Sequence, residues 1–504
     1  MMRYRILPVA LLFFIKFSAF SQVPVDTICL LQLNDVYEIG PLSQGRVGGM
    51  ARVATIIKQQ EQRYQTFVVL AGDFVSPSVI GTTKIDGKRV YGRHMVDIMN
   101  QVGVDLVTFG NHEFDIPEKD LQDRINESRF NWVSSDVMHK DSTGALMPFF
   151  KDSSAIPTSY LLPSSHGQFS IGIISATIPS NKQSWVAYND VHKSMKKAWK
   201  QVRKQADITM ALTHLSFADD QTVQRKLKKL RLVMGGHEHE HNYFTRRKAA
   251  IAKADANAKS MYRHLVFRDG HGKLQIQSEL LMVDSTVGQD EAIAAAVKEW
   301  EKKAYAAFRE AGLEPDAVVY HTREPLDGTE ASVRSKQTNL GTLISQAMLA
   351  ASPQADAAIF NSGSIRIDDM VDGVITQLDV IRILPFGGKL LEVDLDGALL
   401  NQLLQVGSSI KGSGGYLQLS PNLVFDGNNW QVNGTMVDPA KTYKIVSLEF
   451  LFSGAEKGLE FLKEGNPGIK SIKRFDAAGD IHTDIRLAVV KYWSTLDGSQ
   501  PVLP

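Results

Sequence analysis

Five short apolar runs in the first half of the chain each lead into residues that can bind a metal cation. Residues 28–33 (ICLLQL) run into Asn34-Asp35, and residues 67–70 (FVVL) lead to Gly72-Asp73. Residues 106–109 (LVTF) lead to Gly110-Asn111-His112-Glu113-Phe114-Asp115. Residues 208–212 (ITMAL) lead to Thr213-His214, and residues 232–234 (LVM) to Gly235-Gly236-His237-Glu238-His239. Taken singly each is weak, because Gly-Asp after a strand is usually a turn and a lone histidine is usually structural. Together they supply the carboxylate, amide and imidazole donors that two divalent cations require. Asp73 is the candidate bridge, since one carboxylate can give an oxygen to each of two ions about 4 Å apart. Asn111, His214 and His237 then complete one site, while Asp35 and His239 serve the other. Eleven of the 13 histidines lie within residues 1–271, which puts the metal chemistry in the N-terminal half.

The elements that must position these groups follow from the same runs. Strands of four to six apolar residues suit a sheet buried on both faces. Helical stretches at 50–64, 95–102 and 221–230 lie between them, so the alternation predicts an α/β layered domain with its ligands at the carboxyl ends of the strands. The glycines at 72, 110, 235 and 236 permit close backbone approach there.

Composition narrows the remaining classes. At 504 residues two globular units are expected, and 43% hydrophobic with 22% charged residues excludes a mostly disordered chain. Lys+Arg 56 against Asp+Glu 55 gives +1, so no nucleic-acid partner is expected from the whole-chain balance. Basic runs at 192–204 (HKSMKKAWKQVRK) and 225–231 (RKLKKLR) read as solvated faces of amphipathic helices. The single cysteine, Cys29, excludes an intramolecular disulfide, a Cys-rich zinc module and an iron–sulfur cluster.

Residues 1–21 carry Arg3 and Arg5, an apolar run at 6–15, Lys16, and Ala19-Phe20-Ser21 before Gln22. That pattern predicts a signal peptide cut before Gln22, giving a periplasmic or secreted protein without a membrane anchor. Cleavage removes three cations and no acid, taking the charge from +1 to −2.

The metal motifs resemble those of the calcineurin-like metallophosphoesterases, and the string GNHEFD at 110–115 is similar to their 5′-nucleotidase branch. The resemblance implies a four-layer α/β/β/α metallophosphoesterase domain over 22–288 and two divalent ions, Zn, Mn or Fe. It also implies that His112 is no ligand but a catalytic group, stabilising the transition state or protonating the leaving oxygen, with Asp115 orienting its ring. A metal-activated hydroxide would attack the phosphorus, and a protonated His112 would answer the charge that develops. One departure stands in the first block. The family's Asp-x-His is here Asn34-Asp35-Val36-Tyr37-Glu38, so Tyr37 takes the histidine's place, and Tyr37 and Glu38 become further candidate ligands that would favour harder ions. After His241, Asp255 and Asn257 either shape the edge of the site or belong to a surface connection.

Residues 289–312 (QDEAIAAAVKEWEKKAYAAFREAG) contain no proline and predict one continuous connector helix that stops at Gly312. Beyond it, a helix at 339–352 and a strand at 357–360 precede Gly-flanked loops that display Asn361, Arg366 and aromatic residues, a set suited to a flat ring. The order N-L-G, N-x-G-x-I-R, P-F-G and G-G-Y-L-Q is similar to the 5′-nucleotidase C-terminal domain, which implies an α/β substrate-binding domain over 313–504. By that resemblance Arg334, Asn361 and Arg366 meet phosphate or ribose, and Phe386 and Phe450 sandwich the base. Two blocks depart from the family: Ser362 replaces a glycine, and Glu456 stands in Gly454–Gly458 where an aspartate is usual.

The leading expectation is an exported dinuclear-metal phosphohydrolase acting on nucleoside 5′-monophosphates. Alternatives on the same core are 2′,3′-cyclic nucleotide phosphodiesterase with 3′-nucleotidase action, and UDP-sugar hydrolysis. A nucleotide-binding protein with a degraded metal site is the alternative of another class, supported by Tyr37 and the altered Gly454–Gly458 block. A thiosulfate-pathway hydrolase on the same fold is disfavoured by the aromatic pair.

Overall fold

A computed structural model describes residues 26–181, 183–477 and 479–496; the expected signal peptide lies outside them. Parallel strands β1 (Thr27–Leu33), β2 (Gln65–Leu70), β3 (Leu106–Val107) and β4 (Asn131–Trp132) open the chain, with helices α1 (Met50–Glu61) and α2 (Arg93–Val102) as crossovers. A second sheet follows from β5 (Ser159–Pro163), β6 (Ser170–Thr177), β7 (Ile208–His214), β8 (Leu230–Gly235), β9 (Asn242–Arg246) and β10 (Ala249–Lys253). Helices α3 (Val191–Val202) and α4 (Phe217–Lys226) cover its outer face. The chain returns to the first sheet through β11 (Ser260–Arg268) and β12 (Leu274–Met282). The strand orders are β12-β11-β1-β2-β3-β4 and β5-β6-β7-β8-β10-β9.

The layering follows from the two-residue period of the strands. In β1, Ile28 and Leu30 point between the sheets to meet Ile171, Ile173, Met210 and Leu212. Cys29, Leu31 and Leu33 point the other way, against Val53, Ile57 and the other helix residues. Two sheets are thus enclosed by helices in an α/β/β/α stack. Cys29 is wholly buried in it, and burial pushes its thiol up to about 12, so it behaves as a small apolar residue.

Helix α5 (Glu291–Glu310) is the expected connector, capped by Asp290, whose side chain accepts from the Ile293 N–H. Its Ile293, Val297, Ala304 and Phe308 join the core of the first unit, so the connector packs as part of that unit. The second unit holds α6 (Asn339–Ala351), β13 (Ala357–Asn361), α7 (Gln377–Ile383), β14 (Leu390–Asp396), α8 (Gly397–Ser409), β15 (Leu417–Leu419), β16 (Thr442–Leu448), β17 (Ile469–Lys473) and α9 (Ile485–Trp493). Its five strands run in the order β15-β13-β16-β14-β17, with α6 and α9 on one face and α8 on the other. Among the described residues no helix is long and apolar enough to cross a membrane.

Candidate active site

The carboxyl ends of β1, β2, β3, β7 and β8 converge. Asp35, Asp73 and His214 offer ligand atoms within 4.8 Å of one another, all buried. Asp35, Asp73 and His237 carry φ of 53°, 57° and 84°, a left-handed conformation uncommon for non-glycine residues and best tolerated by Asn, Asp and His. Gly110 is required by its neighbour: a Cβ there would lie 2.1 Å from Asp73 Oδ1. At Gly236 a Cβ would lie 2.5 Å from the Ala71 carbonyl and 2.9 Å from His214 Nδ1.

Hydrogen bonds fix each side chain. Asn34 Nδ2 donates to Asp35 Oδ2 at 2.8 Å, and the His237 N–H donates to the same oxygen at 3.0 Å. His214 Nδ1 is 2.7 Å from the Ala71 carbonyl, which fixes a proton on Nδ1 and leaves Nε2, 3.1 Å from Asp73 Oδ2, as the nitrogen that would bind a cation. Two buried atoms here are left without a hydrogen bond: Asn111 Oδ1, and His214 Nε2, which faces only the carboxylates of Asp73 and Asp35. Orphaned atoms of this kind beside two carboxylates are what a bound cation would satisfy, and the donor set fits divalent metals.

Tyr37 reaches into the same cluster. Its hydroxyl is 3.4 Å from Asp35 Oδ1, 3.2 Å from Asp73 Oδ2 and 3.2 Å from His239 Nε2. Glu38 does not: its Oε1 accepts from the Val79 N–H at 3.1 Å, and its carboxyl sits near Arg382, raised to about 7 by burial. Of the two residues after His241, Asn257 does shape the edge, its Oδ1 accepting from the Tyr37 N–H at 3.1 Å. Asp255 instead holds His241 and Ser260.

His112 is held from two sides. Its backbone N–H donates to Asp73 Oδ1 at 2.7 Å, and its Nδ1 is 2.6 Å from Asp115 Oδ2. Burial opposes charging the ring, but Asp115 and Asp73 outweigh it and raise its pKa to about 9. His237 goes the other way, held to about 3 by burial and by His214. At His214, burial is outweighed by Asp73 and Asp35, which raise it to about 10; a cation bound between those carboxylates would take the place of the Nε2 proton.

Several positioning groups were not picked out by motif. Glu113 accepts from the N–H groups of Asp73, Phe74, Val75 and Gly110 at 2.9, 2.8, 3.2 and 2.5 Å, so it shapes the Asp73 turn. Asn181 Nδ2 donates to Asp115 Oδ1 at 2.8 Å. Lys253, fully buried, donates to the carbonyls of Leu215 and Gly236 at 2.6 and 2.7 Å, the residues next to His214 and His237. Asp368 lies 3.0 Å from His239 Nδ1 and comes from the second unit. Of these, Glu113 alone stood in a motif, the GNHEFD string at 110–115, which gave it no role.

The second unit meets the first at this cluster. Arg366 Nη2 is 2.9 Å from Asp115 Oδ2, and Lys259 Nζ is 2.7 Å from Asp369 Oδ2. Arg334 pairs with Glu330 at 2.5 Å, while its buried Nε has no partner. Asn361 Nδ2 donates to Glu456 Oε2 at 2.7 Å, joining two of the expected substrate contacts to each other. Phe386 and Phe450 are each half exposed, on segments joined by the Glu449 N–H to Lys389 carbonyl bond, and the Arg366 guanidinium lies 5.7 Å from the Phe386 ring.

Residues 30–241 match the calcineurin-like phosphoesterase model, and residues 318–464 match the model of the 5′-nucleotidase C-terminal domain. The chain belongs to the 5′-nucleotidase family. It is therefore a hydrolase of the metallophosphoesterase class. Protein UshA of Yersinia enterocolitica is 26% identical over 465 residues, spanning 80% of each protein. The 5′-nucleotidase of Bos taurus is 25% identical over 480 residues, 83% of this chain and 79% of that one. Among solved structures, a 5′-nucleotidase precursor from Thermus thermophilus superposes with a TM-score of 0.66 at 22% identity, over 94% of this chain and all of that one. The sulfate thiohydrolase SoxB of the same genus superposes with a TM-score of 0.62 at 16% identity, over 95% of each chain, which is a likeness of fold.

Proposed function

We propose that the protein is an exported phosphohydrolase that releases phosphate from nucleoside 5′-monophosphates at a dinuclear metal centre. The observation that carries this reading is the pair of orphaned atoms, His214 Nε2 and Asn111 Oδ1, beside Asp35 and Asp73 and next to the His112–Asp115 dyad. Asp73, Asn111, His214 and His237 would hold one ion; Asp35, Asp73 and His239 would hold the other, with Tyr37 in the place of the family's histidine. Zn, Mn or Fe bound there would polarise the phosphoryl group and activate water.

The chain's own residues supply the rest. His112, with Nδ1 engaged by Asp115, keeps Nε2 for the leaving ribose oxygen, and its raised pKa keeps a proton there at neutral pH. Asp115 stabilises the imidazolium and Asn181 fixes the carboxylate. Arg334, Asn361 and Arg366 would grip phosphate or ribose, with Glu456 orienting Asn361, while Phe386 and Phe450 stack on the base. In this reading residues 1–21 are a leader, 22–288 the metal domain, 289–312 the connector and 313–504 the substrate domain. The mature enzyme acts in the periplasm or outside the cell.

The test is phosphate release from nucleoside 5′-, 3′- and 2′,3′-cyclic phosphates and UDP-glucose, with bound metals counted in the same sample. Selective turnover of 5′-monophosphates with two metals per chain is expected. His112→Ala should keep its metals and lose about 10²–10⁴-fold in turnover. Two bound metals with no turnover of any phosphoester would make the protein a nucleotide binder instead.

A further inference from the structure

The basic run 225–231 (RKLKKLR) does not end as an ordinary solvated helix face. It spans the end of α4 and the start of β8, and the fold sets it beside a second run, Arg246-Arg247-Lys248, at the end of β9 and in the turn to β10. Arg231 Nε donates to the Lys248 carbonyl at 2.9 Å, which joins the two runs. Arg225, Lys228, Arg231, Arg246, Arg247 and Lys248 line a cavity of about 470 Å³ with no acidic side chain in its wall. An adjoining cavity of about 820 Å³ shares Arg231, Arg247 and Lys248 and adds Arg203, Lys229, Arg268 and Lys273 against a single acid, Asp207. Among the described residues, Arg268 is the one member of these ten cations in an ion pair, with Asp207 at 3.3 Å. Ten clustered cations in a chain of formal charge +1 leave a strong local field for an anionic ligand to neutralise.

Two further observations narrow the ligand. Gln224 lines the smaller cavity, is 6% exposed, and has neither Oε1 nor Nε2 hydrogen-bonded. An unpaired buried amide costs free energy that a ligand offering both a donor and an acceptor would recover. Tyr243, in the wall of the larger cavity, is half exposed while its other face stacks on Tyr262 at 5.8 Å, and Trp199 lines the same wall under Arg203. Cations that track a phosphate chain, an exposed ring that takes a base, and an unpaired amide beneath them are the parts of a single-strand groove. A membrane surface would need projecting apolar anchors, and Tyr243 is the one exposed large hydrophobic residue in this wall.

We propose that this groove binds a single-stranded polynucleotide. It lies at the amino ends of β7 and β8, and a seven-residue strand separates it from the candidate metal site by about 20 Å. The near-neutral charge sum conceals it, because the compensating acids lie elsewhere. If the proposed nucleotidase reading also holds, the enzyme would sit on the polymer whose cleavage by a nuclease to 5′-mononucleotides supplies its substrate. The binding itself does not depend on that reading.

Fluorescence anisotropy of the purified full chain with a labelled single strand of about 20 nucleotides tests the groove, run without added metal so that binding and hydrolysis fail separately. Binding is expected at about 50 mM salt, weakening by at least about tenfold at 200 mM. Arg231→Glu/Arg247→Glu/Lys248→Glu should cost at least about tenfold in oligonucleotide affinity while the far-UV circular dichroism spectrum and urea midpoint stay those of the parent, which shows the variant folded. Lys228→Glu/Arg246→Glu gives the same readout from the other cavity wall. Tyr243→Ala should cost about tenfold for the oligonucleotide and leave heparin binding unchanged. No saturable binding at low salt overturns the proposal. So does equal loss for heparin, which would mark a general polyanion surface. Displacement of the oligonucleotide by phosphatidylglycerol vesicles with the same charge dependence would make it a membrane surface and also overturns it.

Discussion

Arg366 Nη2 lies 2.9 Å from Asp115 Oδ2, the same oxygen that His112 Nδ1 meets at 2.6 Å. A cation delivered by the second unit therefore shares a carboxylate with the proposed acid of the first. Burial works against ionising Asp115, and His112 and Arg366 together overcome it, holding the carboxyl below its usual range. The same guanidinium opposes the charge on His112, so Arg366 affects the dyad as well as any phosphate it grips.

Arg366→Ala is expected to lower kcat/KM for AMP by about 10–100-fold, the worth of one charged hydrogen bond. Arg366→Lys should recover only part of it, because an ammonium cannot reproduce the planar fork. Steady-state kinetics decide the matter, and parent-like kcat/KM in the alanine variant would remove Arg366 from the site.

Tyr37→His restores the donor that the family uses at this position. Affinity for the more weakly held cation should rise by about 10–100-fold, measured by titration calorimetry on metal-stripped protein. Unchanged stoichiometry and affinity would mean that the Tyr37 hydroxyl serves the cation as well as an imidazole does.

Lys253→Met leaves Asp220 and Glu238 without their cation. Lys253 Nζ is 3.0 Å from Asp220 Oδ2 and both side chains are fully buried, so the loss should destabilise by about 3–5 kcal/mol. Because Lys253 also ties down Leu215 and Gly236, metal retention should fall with stability. Urea denaturation alongside metal counting separates this from an ordinary core defect, which would lower stability alone.

His94 and His264 are buried and neutral, each held to about 3, by burial in both and then by Arg124 for His94. The unfolded chain takes up protons at these residues below pH 6.5 while the folded chain does not. Their contribution is therefore fully present above pH 6.5 and is lost as pH falls toward 3, at up to about 1.4 kcal/mol per unit for each. His94→Gln should flatten the decline in urea midpoint between about pH 6 and pH 4. An equally steep decline in the variant would show that His94 takes up its proton in the folded chain as readily as in the unfolded one.

The layered fold was legible because it is written locally: apolar runs of strand length, crossover helices, and polar clusters at the strand ends. Asp35, Asp73, Asn111 and His214 were legible for the same reason, since each follows its own strand. What escaped depends on contacts across the chain. Asp368 reaches His239 and Lys253 reaches Leu215 only once the sheets are assembled. Glu38 looked like a ligand by its place beside Tyr37, but the start of the short helix at Val79 takes its carboxylate. The basic groove was divided between two runs that become one surface only through the pairing of β8 with β10.

His237 holds φ at 84° between two groups that depend on it: its own N–H reaches Asp35, and its ring packs edge-on against His214. Glycine would occupy that backbone without strain, so durability and chemistry pull in opposite directions here, as they do at Asp35 and Asp73. A descendant relieved of hydrolysis would have a stability incentive to replace His237 with glycine. Among related chains, the residue at this position is therefore a sensitive marker of which copies still turn over substrate.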